Sequence, residues 1–215
     1  MYVPPHFEET RLEVLHELIR ARPLATVVTL SAEGINANHI PLHLCEGEGP
    51  FGALRGHVAR SNPMWRDRIQ DVEALAIFQG AHGYISPSWY PTKREHGKVV
   101  PTWNYAVVHA YGALRVIDDP VWLRAQLEAL VSRHEASSTA PWAISDAPPE
   151  FIERMIASIV GFEIVISRLN GKWKASQNQP AVNRAGVIEG LKERGDDASA
   201  LEMAELIQQA SRGDR

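Results

Sequence analysis

From Leu24 to Val58 the chain reads as three β-type runs joined only by short turns, and this succession constrains the fold more than any other feature. Leu24 to Leu30 is rich in Thr and Val, Ala32-Glu33-Gly34 reads as a turn, and Ile35 to Leu44 completes a hairpin. A Gly/Glu-rich turn, Glu46 to Pro50, precedes a third strand, Phe51 to Val58. Further strands read at Ala74 to Phe78, continued at Gly83 to Ile85, then at 104–117 through Val107, Val108 and Tyr111, with Gly112 as a bulge position, and at Gly161 to Leu169. Short strands in unbroken sequence predict an antiparallel barrel or sandwich, mainly β with peripheral helices, in the α+β class. The β-then-long-helix alternation of a doubly wound parallel sheet is absent. So is any GxGxxG or Walker-type glycine loop, which disfavours dinucleotide and nucleoside-triphosphate binding of those kinds.

The helices lie around these strands. Leu12, Leu15, Leu18 and Ile19 predict an amphipathic helix over 8–20, stopped near Pro23. A short helix is expected over 61–68, with Ser61 or Asn62 as N-cap and Pro63 in its first turn. Asp118-Asp119-Pro120 caps a helix over 121–133 that carries Leu123, Leu127, Leu130 and Val131 on one face. Residues 135–149 read as an Ala/Ser/Pro loop, followed by a helix over 149–158. Residues 182–211 read as two short helices broken at Gly195-Asp196-Asp197. The expected organisation is a β domain over 1–180, including the N-terminal helix, with a helical extension over 181–215 packed on it.

Composition removes several function classes. Twenty-two Lys+Arg against 26 Asp+Glu gives a formal net charge of −4, which argues against a bulk surface built to grip a phosphodiester backbone. The single cysteine, Cys45, excludes an internal disulfide and a Cys-rich zinc site. No apolar run approaches the roughly 20 residues of a membrane span. The start, Met1 to Thr10, has two prolines and a Glu8-Glu9 pair, unlike a secretory signal, so a cytoplasmic location is expected. His39 and His43 flank Pro41 on a strand and form no HExxH helix. Residues 198–210 hold Glu202 and Glu205 with no Lys or Arg, which speaks against a DNA-reading helix.

Three segments carry candidate chemistry. In His57-Val58-Ala59-Arg60-Ser61-Asn62-Pro63 a strand ends where a helix is expected to begin, a place where free backbone N–H groups, Arg60 and short polar side chains suit phosphate. The plain alternative is an ordinary cap with Arg60 in solvent. Gly83 to Pro91 and Val99 to Tyr105 set two Trp and three Tyr among prolines, with Lys93, Arg94 and Lys98 between them. These rings line a flat-ligand site or close one end of a barrel as ordinary core. Gly171-Lys172-Trp173-Lys174-Ala175-Ser176-Gln177-Asn178-Gln179 suits an anion or the polar edge of a heterocycle, or else is a solvated turn with one packed Trp.

The stretches MYVPPHF at 1–7, HVARSNP at 57–63, YISPSWY at 84–90, VPTWNYAVVHAYG at 100–112 and GKWKASQNQP at 171–180 together resemble the PaiB family, FMN-binding proteins described as negative transcriptional regulators. The resemblance covers nearly the whole chain in order. It implies the split β-barrel of the pyridoxamine phosphate oxidase-like flavoproteins, a homodimer, and FMN at the subunit interface. By the same resemblance His57, Arg60, Ser61 and Asn62 are expected at the FMN phosphate. Tyr84, Ser86, Trp103, Asn104, Lys172, Trp173, Gln177 and Asn178 are expected to line the flavin cleft. No catalytic residue stands out. A flavin-dependent oxidoreductase acting on a small molecule is the alternative to a regulator, and a DNA or regulatory partner is not evident from charge.

Overall fold

The computed structural model describes residues 1–194 and 197–213. In chain order it has strand β1 (Glu8–Glu9), helix α1 (Leu12–Ala21), strands β2 (Leu24–Ser31), β3 (Gly34–Pro41), β4 (His43–Cys45) and β5 (Ala53–Ala59), and helix α2 (Met64–Asp67). Strand β6 (Ala74–Ile85), helix α3 (Lys93–His96), strand β7 (Thr102–Ile117) and helices α4 (Pro120–Glu135) and α5 (Pro149–Ala157) follow. Strand β8 (Ile159–Lys174) and helices α6 (Ala181–Glu193) and α7 (Ala198–Gly213) complete the chain. No helix among the described residues is long and apolar enough to cross a membrane.

The strands form one eight-stranded sheet of order β3-β2-β6-β7-β8-β5-β4, with β1 on β8. The β1–β8, β2–β3, β2–β6, β4–β5 and β5–β8 pairs are antiparallel, and the path ends on β3 and β4, so the sheet is open rather than a sealed cylinder. The β2–β3 hairpin turns at Ala32-Glu33, with Ser31 opposite Gly34, and Gly34 takes φ 118°, which only glycine adopts freely. The run expected over Ile35 to Leu44 is two strands, because β3 pairs with β2 whereas β4 pairs with β5, and the change of partner falls at Leu42. The two runs expected over 74–85 are one continuous strand, and the last strand extends five residues beyond Leu169. Strand β7 is unbroken through Gly112. There a Cβ would stand 2.1 Å from the Val165 carbonyl oxygen, so glycine serves a close approach.

The chain divides into two compact units, Met1–Leu18 with Gln79–Val108 and Asn170–Arg215, and Ile19–Phe78 with His109–Leu169. In the first, α6 and α7 bury Val187, Leu191, Ala200, Met203, Ala204 and Ile207 in one cluster with Ile85 and Tyr90. The break expected at Gly195-Asp196 lies outside the described residues. Trp89 enters this cluster over the glycines of α6, where a Cβ on Gly190 would lie 2.3 Å from its ring. In the second unit, Asp119 accepts the Val121 N–H at 2.9 Å and Pro120 occupies the first turn, so α4 begins where the sequence places it. Leu123 packs there with Ile144, Ile152 and Ile156.

Helix α4 also covers a polar stripe of β4 and β5. Trp122 lies under the Arg55 guanidinium at 5.7 Å, and the Gln126 Oε1 stands 3.3 Å from the His57 Nδ1. Burial holds the His57 imidazole below its ordinary value. Burial does the same to His43, helped by the nearby charges of Arg133 and Arg55.

Two expectations follow. Gly190→Ala, which in an open helix would stabilise by about 0.5–1 kcal/mol, should instead cost about 1–3 kcal/mol through overpacking against Trp89. Urea unfolding measures this against Gly47→Ala, where no atom lies within 4 Å of the added Cβ. Second, an unfolded chain protonates its histidines near 6.5, whereas folded His57 and His43 do so only at lower pH. Their contribution to stability is therefore complete above pH 6.5 and lost as the pH falls below it. Thermal midpoints at pH 7.5 and 5.5 should show this loss, and His57→Gln should shrink it.

Candidate functional site

In the second unit, β5 runs out into a turn closed by the Asn62 N–H on the Ala59 carbonyl at 2.8 Å. The helix expected over 61–68 is a single turn, Met64–Asp67, with Pro63 at its N-cap position and no side-chain cap. One turn has too few aligned peptides to make a helix-terminus anion site, so that part of the expectation is corrected. What the turn offers is side chains. The Asn62 Oδ1 accepts the Met64 N–H at 2.9 Å, which turns the Asn62 Nδ2 toward the Asn38 Oδ1 at 2.8 Å. The Asn38 Nδ2 in turn donates to the Asn36 Oδ1 at 2.7 Å. Asn36 and Asn38 share one face of β3 because they are two residues apart.

This row of carboxamides borders a cavity of about 330 Å³ lined by Thr29, Ser31, Asn36, Pro63, Met64 and Arg68, with the acids Glu33 and Asp67 at its edge. Arg68 is fixed by the carbonyls of Leu114 and Trp65 at 3.0 Å each, and burial lowers its value without removing a guanidinium's charge. Ser61 is exposed on the turn. Arg60 is committed elsewhere. Its Nη1 and Nη2 donate to both Asp118 oxygens at 2.8 and 2.6 Å, and its Nε and Nη2 to the carbonyls of Ala157 and Ile159. That leaves one of its five N–H donors for any ligand, so Arg60 reaches a phosphate fully only by releasing Asp118. His57 points to Gln126.

The first unit gathers the other expected residues. Tyr84 and Trp103 are both exposed and meet edge to face at 6.1 Å, while Trp103 lies nearly parallel to the His82 ring at 6.2 Å. The rings form a shelf on neighbouring strands and are not part of the buried core. Ser86 is a local cap, its Oγ accepting the Ser88 N–H at 3.2 Å. Lys172 is buried, donates to the Tyr2 carbonyl at 3.2 Å and lies 5.2 Å from the Tyr105 ring centre. Gln177 closes its own loop, donating to the Trp173 carbonyl and accepting the Ala175 N–H. Trp173 is half-buried beside it, and Asn178 is exposed. Asn104 is fully enclosed, with its Nδ2 on the Ser176 Oγ at 2.8 Å.

Sequence reasoning missed Asn36, Asn38, Thr29 and Arg68. The signal that finds the first two is the Asn-x-Asn repeat on a strand whose neighbouring positions are exposed. A polar face of that kind has no packing reason to exist.

With this geometry on the page, comparison with known proteins places the chain. Residues 1–168 match the family model described as "Putative FMN-binding domain". An uncharacterized protein of Emericella nidulans is 36% identical over 233 residues, covering 92% of this chain and 93% of that one. The Protease synthase and sporulation protein PAI 2 of Bacillus subtilis is 33% identical over 208 residues, covering 97% of each. Among solved structures, the flavocytochrome Anf3 of Azotobacter vinelandii superposes with a TM-score of 0.57 at 13% identity, over 80% of this chain and 72% of that one, which is a likeness of fold.

The residues present fit FMN. A flavin requires donors and acceptors for the edge of its ring, hydroxyl and cationic partners for its ribityl phosphate, and flat apolar surface for its faces. The carboxamide row with Thr29, Ser31 and Arg68 has the first two chemistries, and Pro63 and Met64 in the same cavity give it apolar surface. The split-barrel architecture, the match over most of the chain and the relatives covered end to end agree, and the chain belongs to the FMN-binding domain family with FMN as its cofactor.

Proposed function

We propose that this chain is a negative transcriptional regulator of the PaiB type that works as a homodimer and uses FMN as its responsive group. The observation that carries the reading is the hydrogen-bonded row Asn36–Asn38–Asn62 opening onto a cavity of about 330 Å³, within the roughly 300–1,000 Å³ of small-molecule sites. Asn62, Asn38, Asn36, Thr29 and Arg68 would hold polar groups of the cofactor. Pro63 and Met64, which line the same cavity, would offer apolar surface. Bound FMN supplies reversible one- or two-electron chemistry. The chain's own part is to bind the cofactor and to shield it from solvent.

The regulatory half of the reading is supported by the Bacillus subtilis relative, whose name ties it to protease synthesis and sporulation. The dimer is supported by Trp103 and Tyr84, large aromatics of a kind enriched where subunits meet. Regulation would run through the flavin or a protein partner. Helix α7 buries Ala200, Met203, Ala204 and Ile207 against α6, and its exposed positions include Glu202 and Glu205 with no Lys or Arg over 198–210, so it offers a DNA backbone no positive charge. Lys93 and Arg94, exposed on α3, are the better contacts for any backbone phosphate.

A flavin-dependent oxidoreductase is the second reading, favoured by the exposed aromatic shelf, which would leave room for a flat electron donor. Bleaching of bound flavin by a reduced nicotinamide would select it.

The purified full-length protein should show a flavin band near 450 nm, and fluorescence titration gives its FMN affinity. Asn62→Ala removes a neutral donor worth about 1 kcal/mol, so FMN should bind roughly fivefold more weakly. Unchanged affinity in a folded variant overturns the assignment of the carboxamide row. Gel shifts of the FMN-loaded protein at low and high salt test the regulatory route. Tight, salt-steep binding to DNA would contradict a route through the flavin or a partner.

A further inference from the structure

We propose that the cavity between the Lys98–Asn104 segment and the Lys174–Gln179 loop binds a small organic monocarboxylate with an apolar body, separately from the flavin. The cavity holds about 270 Å³, which lies below the roughly 300–1,000 Å³ typical of drug-sized ligands and therefore selects a small molecule. Its lining combines two chemistries. Phe7, Tyr90, Val99 and Val100 are apolar, and Lys174, Lys98, Thr102, Asn104 and Ser176 are polar.

The polar lining is built rather than incidental. Asn104 is 1% exposed and Ser176 3%, and the bond between them, Asn104 Nδ2 to Ser176 Oγ at 2.8 Å, fixes the side chain. Ser176 has φ 60°, the only described non-glycine residue with positive φ. A serine held in the left-handed region costs about 1–3 kcal/mol, and such strain persists where the surroundings over-determine it. Those surroundings are visible. The Gln179 N–H bonds to the Ser176 carbonyl at 3.0 Å, and Gln177 caps the Ala175 N–H at 2.7 Å. On the facing segment Thr92 is gripped by the buried Asn183 of α6.

Lys174 supplies the charge. Its ammonium donates to the Thr102 hydroxyl, and among the described residues that line the cavity there is no acid. Burial pulls its value down, Lys172 adds to the effect, and Tyr105 opposes it. A single anionic group restores the balance at this partly desolvated amine, while Lys98 remains exposed to water. Ammonium groups with hydroxyl and amide partners also lack the planar fork with which arginine grips phosphate. One negative head beside four apolar side chains describes a monocarboxylate such as an aromatic or branched acid.

Isothermal titration of the full-length, FMN-loaded protein with benzoate tests this, with acetate and inorganic phosphate as comparators. Benzoate should bind with Kd below about 1 mM, acetate several-fold more weakly, and phosphate without measurable heat. Lys174→Met should weaken benzoate about tenfold or more, as expected for loss of a charged hydrogen bond. FMN affinity, read by fluorescence, should stay the same. Lys98→Gln, at an exposed position, should weaken benzoate several-fold and carries the test alone if Lys174→Met does not fold. No heat from benzoate, equal binding in both variants, or phosphate binding better than benzoate overturns the proposal. Displacement of benzoate by FMN, or joint loss of both in Lys174→Met, also overturns it, because the cavity would then be part of the flavin site. Failure of FMN to bind with benzoate binding intact would count against the flavin assignment alone.

Discussion

The ladder of β8 is the constraint on which the rest of the structure depends. A sixteen-residue strand exposes a backbone donor and acceptor at every position, and each must be paired when buried. Residues Ile159 to Val165 are paired by β5 from Ala59 back to Ala53, and Gly171 and Lys172 by β1. Pairing with β5 fixes which way its side chains face, since a slip of one residue would reverse every one of them. Phe162 and Ile164 are thereby buried, and Glu163, on the alternate face, is brought opposite Arg55. Burial pushes the Glu163 carboxyl up, but hydrogen bonds from Arg55 and Arg115, both 2.8 Å, outweigh it and leave the value lowered. A buried carboxylate thus sits between two guanidiniums because the ladder leaves it no other place.

The same physics explains which parts of the fold were legible in the sequence. Strands β2, β5 and β7, and helix α4, declare themselves by alternation or by a cap, because their local chemistry and tertiary role agree. The N-terminal Asp119-Pro120 signal is a case in point. The boundary at Leu42 is not legible, since what divides the run is a change of pairing partner from β2 to β5. The length of β8 is hidden for a similar reason. Beyond Leu169 its residues include Asn170, Gly171 and two lysines, poor strand formers that pair because β1 is there. Helix α2 fails in the opposite direction. Ser61, Asn62 and Pro63 look like a cap, but Asn62 uses its side chain to close a turn and to reach Asn38, and the helix shrinks to one turn.

The candidate sites were half legible. Motifs select segments, but which atoms face outward depends on partners distant in sequence. Within GKWKASQNQ, Lys172 and Lys174 have the same parity and would seem equivalent. Lys172 is buried on the Tyr2 carbonyl and the Tyr105 ring, and Lys174 faces a cavity. In HVARSNP the residue richest in donors, Arg60, is tied by Asp118, while the modest Asn62 leads to the carboxamide row. Residues with the strongest charge in sequence are those most readily neutralised by a partner in the fold.

Helices α6 and α7 show how an extension that suggests one function from its outline can serve another by its packing. Two helices at the end of a regulator's chain invite comparison with a DNA-reading pair, in which one helix must stand exposed in the groove. Here Met203, Ala204 and Ile207 of α7 are completely buried with Val187 and Leu191 of α6, so the two helices are committed to each other. Further positions of α6 make contacts outside this pair. Gly186 and Gly190 accept Trp89, Asn183 holds Thr92, and Arg184 donates to the carbonyl of Gln179 at 3.0 Å. Those contacts fall on the two segments that wall the smaller cavity, at Tyr90 and at Gln179. A helix that grips both walls of a binding pocket makes their spacing a property of the fold rather than of a mobile loop, and that is the role its glycines and its buried asparagine fit.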